Sequence, residues 1–237
     1  MEINVLASGS KGNCYLIGDG QSKLLLDCGI PFGDIQEACG FNLVDEINGV
    51  LVTHEHGDHI KAAQRLMKSA INVYASRGTL EAGHLSGHRA KVLKPQIQTH
   101  ISTFVVLPFD VEHDAAEPLG FLIKSEVTGE KLLYFTDTFY LKYRFGKLHY
   151  IMGECNFSRD IAERNVQEGY LRADLLPRLH KSHMSLEHFL DFLRANDMSE
   201  VRSVYLLHLS DGNSDEQMFI DKVKEIAPNA DVRAFGN

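Results

Sequence analysis

Three imidazoles and one aspartate fall within six consecutive positions of Thr53-His54-Glu55-His56-Gly57-Asp58-His59, directly after the apolar run Gly49-Val50-Leu51-Val52. Imidazole and carboxylate donors together suit Zn, Mn or Fe. In an extended segment His54 and His56 project to the same side. A helix beginning near Asp58 would turn Asp58 and His59 toward a neighbouring point. One strand end can thus serve two adjacent metal ions, an arrangement suited to metal-assisted hydrolysis and especially to phosphoryl chemistry. Packing alone accounts poorly for these residues, because four polar groups crowded behind a buried strand would cost desolvation with no return.

The elements that must position this motif read as short strands alternating with amphipathic helices. Strands are expected over 3–7, 14–17, 23–26, 49–53, 72–75, 104–109, 119–123, 131–135, 149–152 and 201–207. Helices are expected over 31–39, 59–69 and 214–226, and the composition of 157–179 is helical. Ser185 caps a further helix carrying Leu186, Phe189, Leu190 and Leu193 at helical spacing. Strands early and late with helices after each set predict two sheets covered by helices. No linker or repeat divides the 237 residues, so a single domain over 1–237 is expected.

Further donors stand at strand ends: Asp27, His113, Asp137 and His208, with His183 just before the Ser185 helix. Singly, each reads as a turn or surface residue; after the heptapeptide, they supply the missing ligands. His84, His88, His100, His149, His180 and His188 read as ordinary surface or loop residues, His188 as solvated.

Composition sets the outer limits. Hydrophobic content of 44% and charged content of 24% are those of a globular protein. The N-terminus lacks a signal-peptide pattern, no apolar run approaches a membrane span, and a cytoplasmic location is expected. Four cysteines without CxxC spacing read as reduced, buried thiols. The net charge of −8 argues against broad wrapping of nucleic acid. A relatively basic stretch nevertheless runs from Lys142 to Lys181, through Arg144, Lys147, Arg159, Arg164, Arg172 and Arg178. Beside a two-metal site it is a candidate phosphate-contacting surface.

The order His54-x-His56-x-Asp58-His59, then His113, Asp137 and His208, resembles the metallo-β-lactamase fold hydrolases over nearly the whole chain. The resemblance implies an α/β fold, a four-layer αββα sandwich. It implies His54, His56 and His113 on one metal and Asp58, His59 and His208 on a second, with Asp137 bridging. Asp27 would brace the ligand loop. The opening Val5-Leu6-Ala7-Ser8-Gly9-Ser10-Lys11-Gly12-Asn13, Leu26-Asp27-Cys28-Gly29 and Glu154-Cys155-Asn156 are similar to the YycJ/WalJ-like group, described as metal-dependent DNA exonucleases. Phe157 stands where that group usually has a second His.

The same resemblance sorts the reactions. Asp137 occupies the position at which true β-lactamases commonly carry Cys or His. The intervals after His113 and Asp137 are too short for a tRNA-gripping arm or a β-CASP insertion. Glu154 and His183 match the Glu and His that ribonuclease Z-like phosphodiesterases pair, so His183 held by Glu154 is the expected proton donor to a leaving alkoxide. A hydroxide shared by two Zn or Mn ions, with Fe as an option, is the expected nucleophile, and Asp58 is counted with the catalytic groups. Ser8, Ser10, Asn13 and Asn156 are candidate substrate contacts, and DNA is the expected substrate. A small-molecule hydrolase of the same fold, cleaving a cyclic nucleotide or a thioester, is the alternative. A non-catalytic metal-dependent sensor stands third, since it has no use for a proton donor.

Overall fold

Apolar runs too short for helices fold as buried strands, and their ends carry the polar residues. In the computed structural model, residues Met1–Gly236 are described. The chain packs as two compact units, one of Met1–Asp110 with Ala115–Glu130, the other of Val111–Asp114 with the chain from Lys131. The described strands make one six-stranded and one seven-stranded sheet.

The first unit begins with the antiparallel strands β1 (Glu2–Ala7), β2 (Cys14–Gly18) and β3 (Lys23–Leu26). Helices α1 (Phe32–Cys39) and α2 (Leu43–Glu46) lead to β4 (Gly49–Leu51), parallel to β3. Then follow α3 (Gly57–Ile60), α4 (Ala63–Lys68), β5 (Val73–Ala75), α5 (Arg77–Ala82) and β6 (Ala90–Val92), with β4, β5 and β6 parallel. A meander of β7 (Thr99–Ile101), β8 (Phe104–Asp110) and β9 (Leu119–Ser125) ends the unit. Leu25, Val50, Val52, Leu66 and Val73 form part of its buried core.

The helix expected over 59–69 is broken in two. The carbonyls of Asp58 and His59, which an unbroken helix would offer to the amides four residues on, accept instead from Asn13 N (2.7 Å) and Cys28 N (2.8 Å). Ala62 N turns away to Cys28 O at 2.9 Å. The first loop and the β3 end thus take the hydrogen bonds that would have continued the helix.

The second unit is a parallel sheet of β10 (Lys131–Phe135), β11 (Tyr150–Glu154), β12 (Ser203–Leu209) and β13 (Asp231–Gly236). Its helices are α6 (Arg159–Gln167), α7 (Leu176–Ser182), α8 (Leu186–Arg194) and α9 (Glu216–Ile226). The helical composition of 157–179 resolves into α6 and part of α7. Gly169, at φ 80°, ends the first, with Tyr170 N and Leu171 N both bonded to Asn165 O. Ser185 caps α8 as expected, its hydroxyl accepting from His188 N, and Phe189 and Phe192 bring α8 against Phe135 of β10. The four cysteines are buried and outside any disulfide; burial pushes the Cys14, Cys28 and Cys155 thiols up. No helix among the described residues is long and apolar enough to cross a membrane.

Candidate active site

In the first unit the site grows from the adjacent ends of β3 and β4. Asp27 follows β3 at φ 55°, a left-handed conformation in which Asp is tolerated better than most residues. The turn aims its fully buried carboxylate at the heptapeptide. Asp27 Oδ1 accepts from Thr53 N (2.8 Å) and Thr53 Oγ1 (3.0 Å), and Oδ2 lies 2.8 Å from His59 Nδ1. His54 Nδ1 is likewise 3.0 Å from Thr53 Oγ1. Holding Nδ1 of both rings leaves each Nε2 as the outward donor, the tautomer a metal ligand needs. His54 Nε2 approaches His56 Nδ1 to 3.1 Å, and His59 Nε2 lies 3.5 Å from Asp58 Oδ2. These donors, imidazole and carboxylate on a braced loop, fit a divalent cation of the Zn, Mn or Fe type.

Two glycines make this loop possible. A Cβ on Gly29 would stand 1.7 Å from Asp58 O, so the β3 turn can lie against the metal loop only if residue 29 has no side chain. Gly12, at φ 154°, is crowded less severely, a Cβ there standing 2.7 Å from Gly29 O. Asn13 closes the arrangement. Its Oδ1 accepts from Gly9 N and Tyr15 OH, and its Nδ2 donates to Gly9 O at 3.1 Å and lies 3.1 Å from His59 Nε2. Asn13 is fully buried; Ser8 is buried with its hydroxyl 3.1 Å from Tyr15 OH, and Ser10 is exposed.

In the second unit Asp137, Glu154, His183 and His208 each bring a donor atom within 4.8 Å of the others. Asp137 follows β10 at φ 47° and His208 sits in β12 at φ 57°. The β12–β13 register shifts between Leu206 and Leu209, a bulge that re-aims the His208 side chain. Asn156 Nδ2 donates to His208 O at 2.6 Å and lies 3.2 Å from its Nδ1, so this amide braces His208. His183 stacks on His208 with centroids 5.5 Å apart, and the His113 ring lies 6.4 Å from that of His183. Thr138 ties this group together, its hydroxyl accepting from Glu112 N beside His113 and donating to Tyr140 O.

Glu154 is fully buried at the end of β11. Its Oε1 lies 2.5 Å from His183 Nδ1, while Oε2 accepts from Thr138 N (3.0 Å) and Met184 N (3.3 Å). Burial alone would raise the Glu154 pKa, but the neighbouring His183 charge and hydrogen bond hold it below the ordinary value. Burial opposes charge on His183 too, yet Glu154 and then Asp137 outweigh it and push His183 up to about 10. Both shifts favour a carboxylate paired with an imidazolium.

Sequence reasoning missed Gly29, Thr53 and Thr138 as parts of the site. Their signal was adjacency to the named residues. It also took His188 for a solvated residue; its Nδ1 donates to Phe139 O at 2.8 Å and its Nε2 faces Arg159 at 2.5 Å, so both nitrogens are engaged.

The family model of the beta-lactamase superfamily domain matches residues 23–209. The chain belongs to the beta-lactamase superfamily. Among superfamily relatives it is 32% identical over 242 residues to the exodeoxyribonuclease YycJ of Bacillus anthracis, covering 95% of this chain and 89% of that one. It is 28% identical over 239 residues to the exodeoxyribonuclease WalJ of Streptococcus pneumoniae serotype 2 (strain D39), covering 92% and 84%. The metallo-beta-lactamase fold protein YhfI of Bacillus subtilis shares the fold, with a TM-score of 0.74 at 16% identity over 98% of this chain and 95% of that one. The expected fold of two mixed sheets with flanking helices is therefore established.

Proposed function

We propose that the protein is a metal-dependent phosphodiesterase that degrades DNA from an end. The observation that carries this reading is the pair of buried Glu154 and half-buried His183, at 2.5 Å, beside Asp137 and His208. The two relatives named as exodeoxyribonucleases support DNA as the substrate class.

His54, His56 and His113 would hold one cation and Asp58, His59, Asp137 and His208 would serve a second, following the ligand order that the resemblance implies. Two bound divalent cations, Zn, Mn or Fe, would supply Lewis acidity toward the phosphate oxygens and acidify a water. The remaining chemistry belongs to the chain. Glu154 keeps His183 charged and fixes its Nδ1, which leaves the Nε2 proton for the departing alkoxide. An alkoxide is a poor leaving group, so this proton transfer matters more for a phosphodiester than for a thioester. Asp27 and Asn156 act as positioning residues for His59 and His208. Ser8 and Ser10 are kept as candidate contacts for a phosphate at the first loop, with Asn13 holding that loop's shape.

The test is a panel on protein loaded with Mn or Zn: end-labelled DNA, bis-p-nitrophenyl phosphate, cyclic nucleotides and a glutathione thioester. Mononucleotide release from DNA is expected to dominate; turnover of the thioester alone would overturn the reading. The net charge of −8 favours the second reading, a small phosphodiester, and cyclic-nucleotide turnover without DNA degradation would select it.

A further inference from the structure

Two parallel strands are usually joined by a helix, yet residues 136–149, between β10 and β11, hold neither helix nor strand. Irregular connections of this length are uncommon unless they carry function. Their composition is equally unusual. Residues 138–148 contain Lys142, Arg144 and Lys147 and no acidic residue, in a chain whose net charge is −8. Within Lys142-Tyr143-Arg144-Phe145, cations and aromatic rings alternate, and the two cations are exposed while the rings are half-buried. Tyr140 is 52% exposed.

The segment is held at several points. Leu141 and Leu148 are buried, Phe145 N donates to Asn196 Oδ1 at 2.7 Å, and the Phe145 ring packs against Phe192 of α8. At its start Thr138 N donates to Glu154, the partner of His183, at 3.0 Å. Next to that anchor, His188 donates to Phe139 O, stands edge-on to Tyr140 and accepts from Arg159. With its Nδ1 proton on the loop carbonyl, His188 turns its Nε2 lone pair to the Arg159 guanidinium, which also faces Glu187 at 3.8 Å. Lys142 Nζ lies 5.3 Å above the Tyr143 ring, and Arg172, farther along the basic stretch, is held by both carboxylate oxygens of Asp174.

We propose that this connection, with Arg159, is a bed for single-stranded nucleic acid running away from the Glu154–His183 pair. Tyr140 is the stacking platform, and Lys142, Arg144 and Arg159 take successive phosphates. An exposed ring followed by exposed cations matches a strand whose bases are unpaired, because every base offers a face to stack and every linkage a charge. The inference rests on the phosphodiesterase reading for its direction, and the following experiment separates the two.

Metal-loaded protein is titrated against a fluorescein-labelled phosphorothioate (dT)16, which resists hydrolysis, with binding read by anisotropy. Tyr140→Ala is expected to weaken binding about tenfold and Tyr140→Phe to preserve it, since the ring face does the stacking. Lys142→Gln with Arg144→Gln is expected to lower the slope of log K against log salt by about 1.4 for two lost phosphate contacts. Lys91→Gln with Lys94→Gln, the same charge change on the first unit, is expected to change neither. Affinities within about twofold of the wild type for every variant of the connection would overturn the proposal. So would equal loss in the control pair, or binding to anionic phospholipid vesicles in place of the oligonucleotide. Bis-p-nitrophenyl phosphate turnover by the wild type is read separately. Turnover there with oligonucleotide binding indifferent to the variants overturns the strand bed alone. Binding that depends on the connection without any phosphodiester turnover overturns the enzyme reading and keeps the bed.

Discussion

Glu154 Oε1 lies 2.5 Å from His183 Nδ1, and the carboxylate behind that contact is wholly buried. A buried carboxylate is costly unless its oxygens are matched. Here the second oxygen takes two backbone amides, Thr138 N and Met184 N, while the first takes the imidazolium. These contacts favour the charged form of one histidine next to two further site residues, Asp137 and His208.

His183→Ala is expected to lower DNA turnover about 10²–10⁴-fold, the range for loss of a positioned acid. Turnover of bis-p-nitrophenyl phosphate, whose leaving group needs little help, should fall far less. Glu154→Gln should behave like His183→Ala, and the double variant should be little worse than either single one, because the two act as a unit. Additive losses would dissolve the pair.

Asp27→Asn removes the charge that holds His59 Nδ1 at 2.8 Å. Metal affinity is expected to drop about 10–100-fold, the usual cost of losing a partner behind a ligand. Competition with a chromogenic chelator measures this directly, and unchanged affinity would remove Asp27 from the site.

Gly29→Ala places a methyl group 1.7 Å from Asp58 O. Backbone must move, so a loss of about 3 kcal/mol or more is expected, at the upper end of overpacking effects. Urea unfolding reads it, and a stability equal to the wild type would mean that the loop and the β3 turn do not touch.

Asp19 links three segments of the first unit. Its carboxylate accepts from Gln21 N, Ser22 N, Thr103 Oγ1 and Ser125 Oγ. Burial would raise its pKa, but these hydrogen bonds, led by Thr103, hold it below the ordinary value. A carboxyl depressed in the folded state contributes stability above its unfolded pKa of about 3.9 and loses it as the pH falls through the folded value. Asp19→Asn is therefore expected to be less stable at pH 7 and to show a shallower fall in stability below about pH 4. Parallel stability–pH curves for the two proteins would contradict this.

The heptapeptide was legible from residue type and short spacing, the strand-end donors from their places after apolar runs, and the Glu154–His183 pairing, 29 residues apart, only through the resemblance to ribonuclease Z-like phosphodiesterases. What escaped depends on segments far apart in sequence. No local pattern says that Asn13 and Cys28 will take the carbonyls of Asp58 and His59 and so cut a helix short. Nor does helical spacing show that His188, one position off the apolar stripe, meets the carbonyl of Phe139. The strands β6 and β7 span three residues each, too few for a period to register. The α5 helix has a readable start, since Ser76 caps it by accepting from Thr79 N.

Asp137 and His208 both sit in left-handed backbone, at φ 47° and 57°. Such a conformation costs an ordinary residue about 1–3 kcal/mol, and glycine adopts it freely. At these two positions the demands of folding and of chemistry point to different residues. Replacing both with glycine should therefore leave the architecture standing while silencing turnover. The fold carries within it the recipe for its own inert twin, a scaffold on which a bound strand could be held uncut.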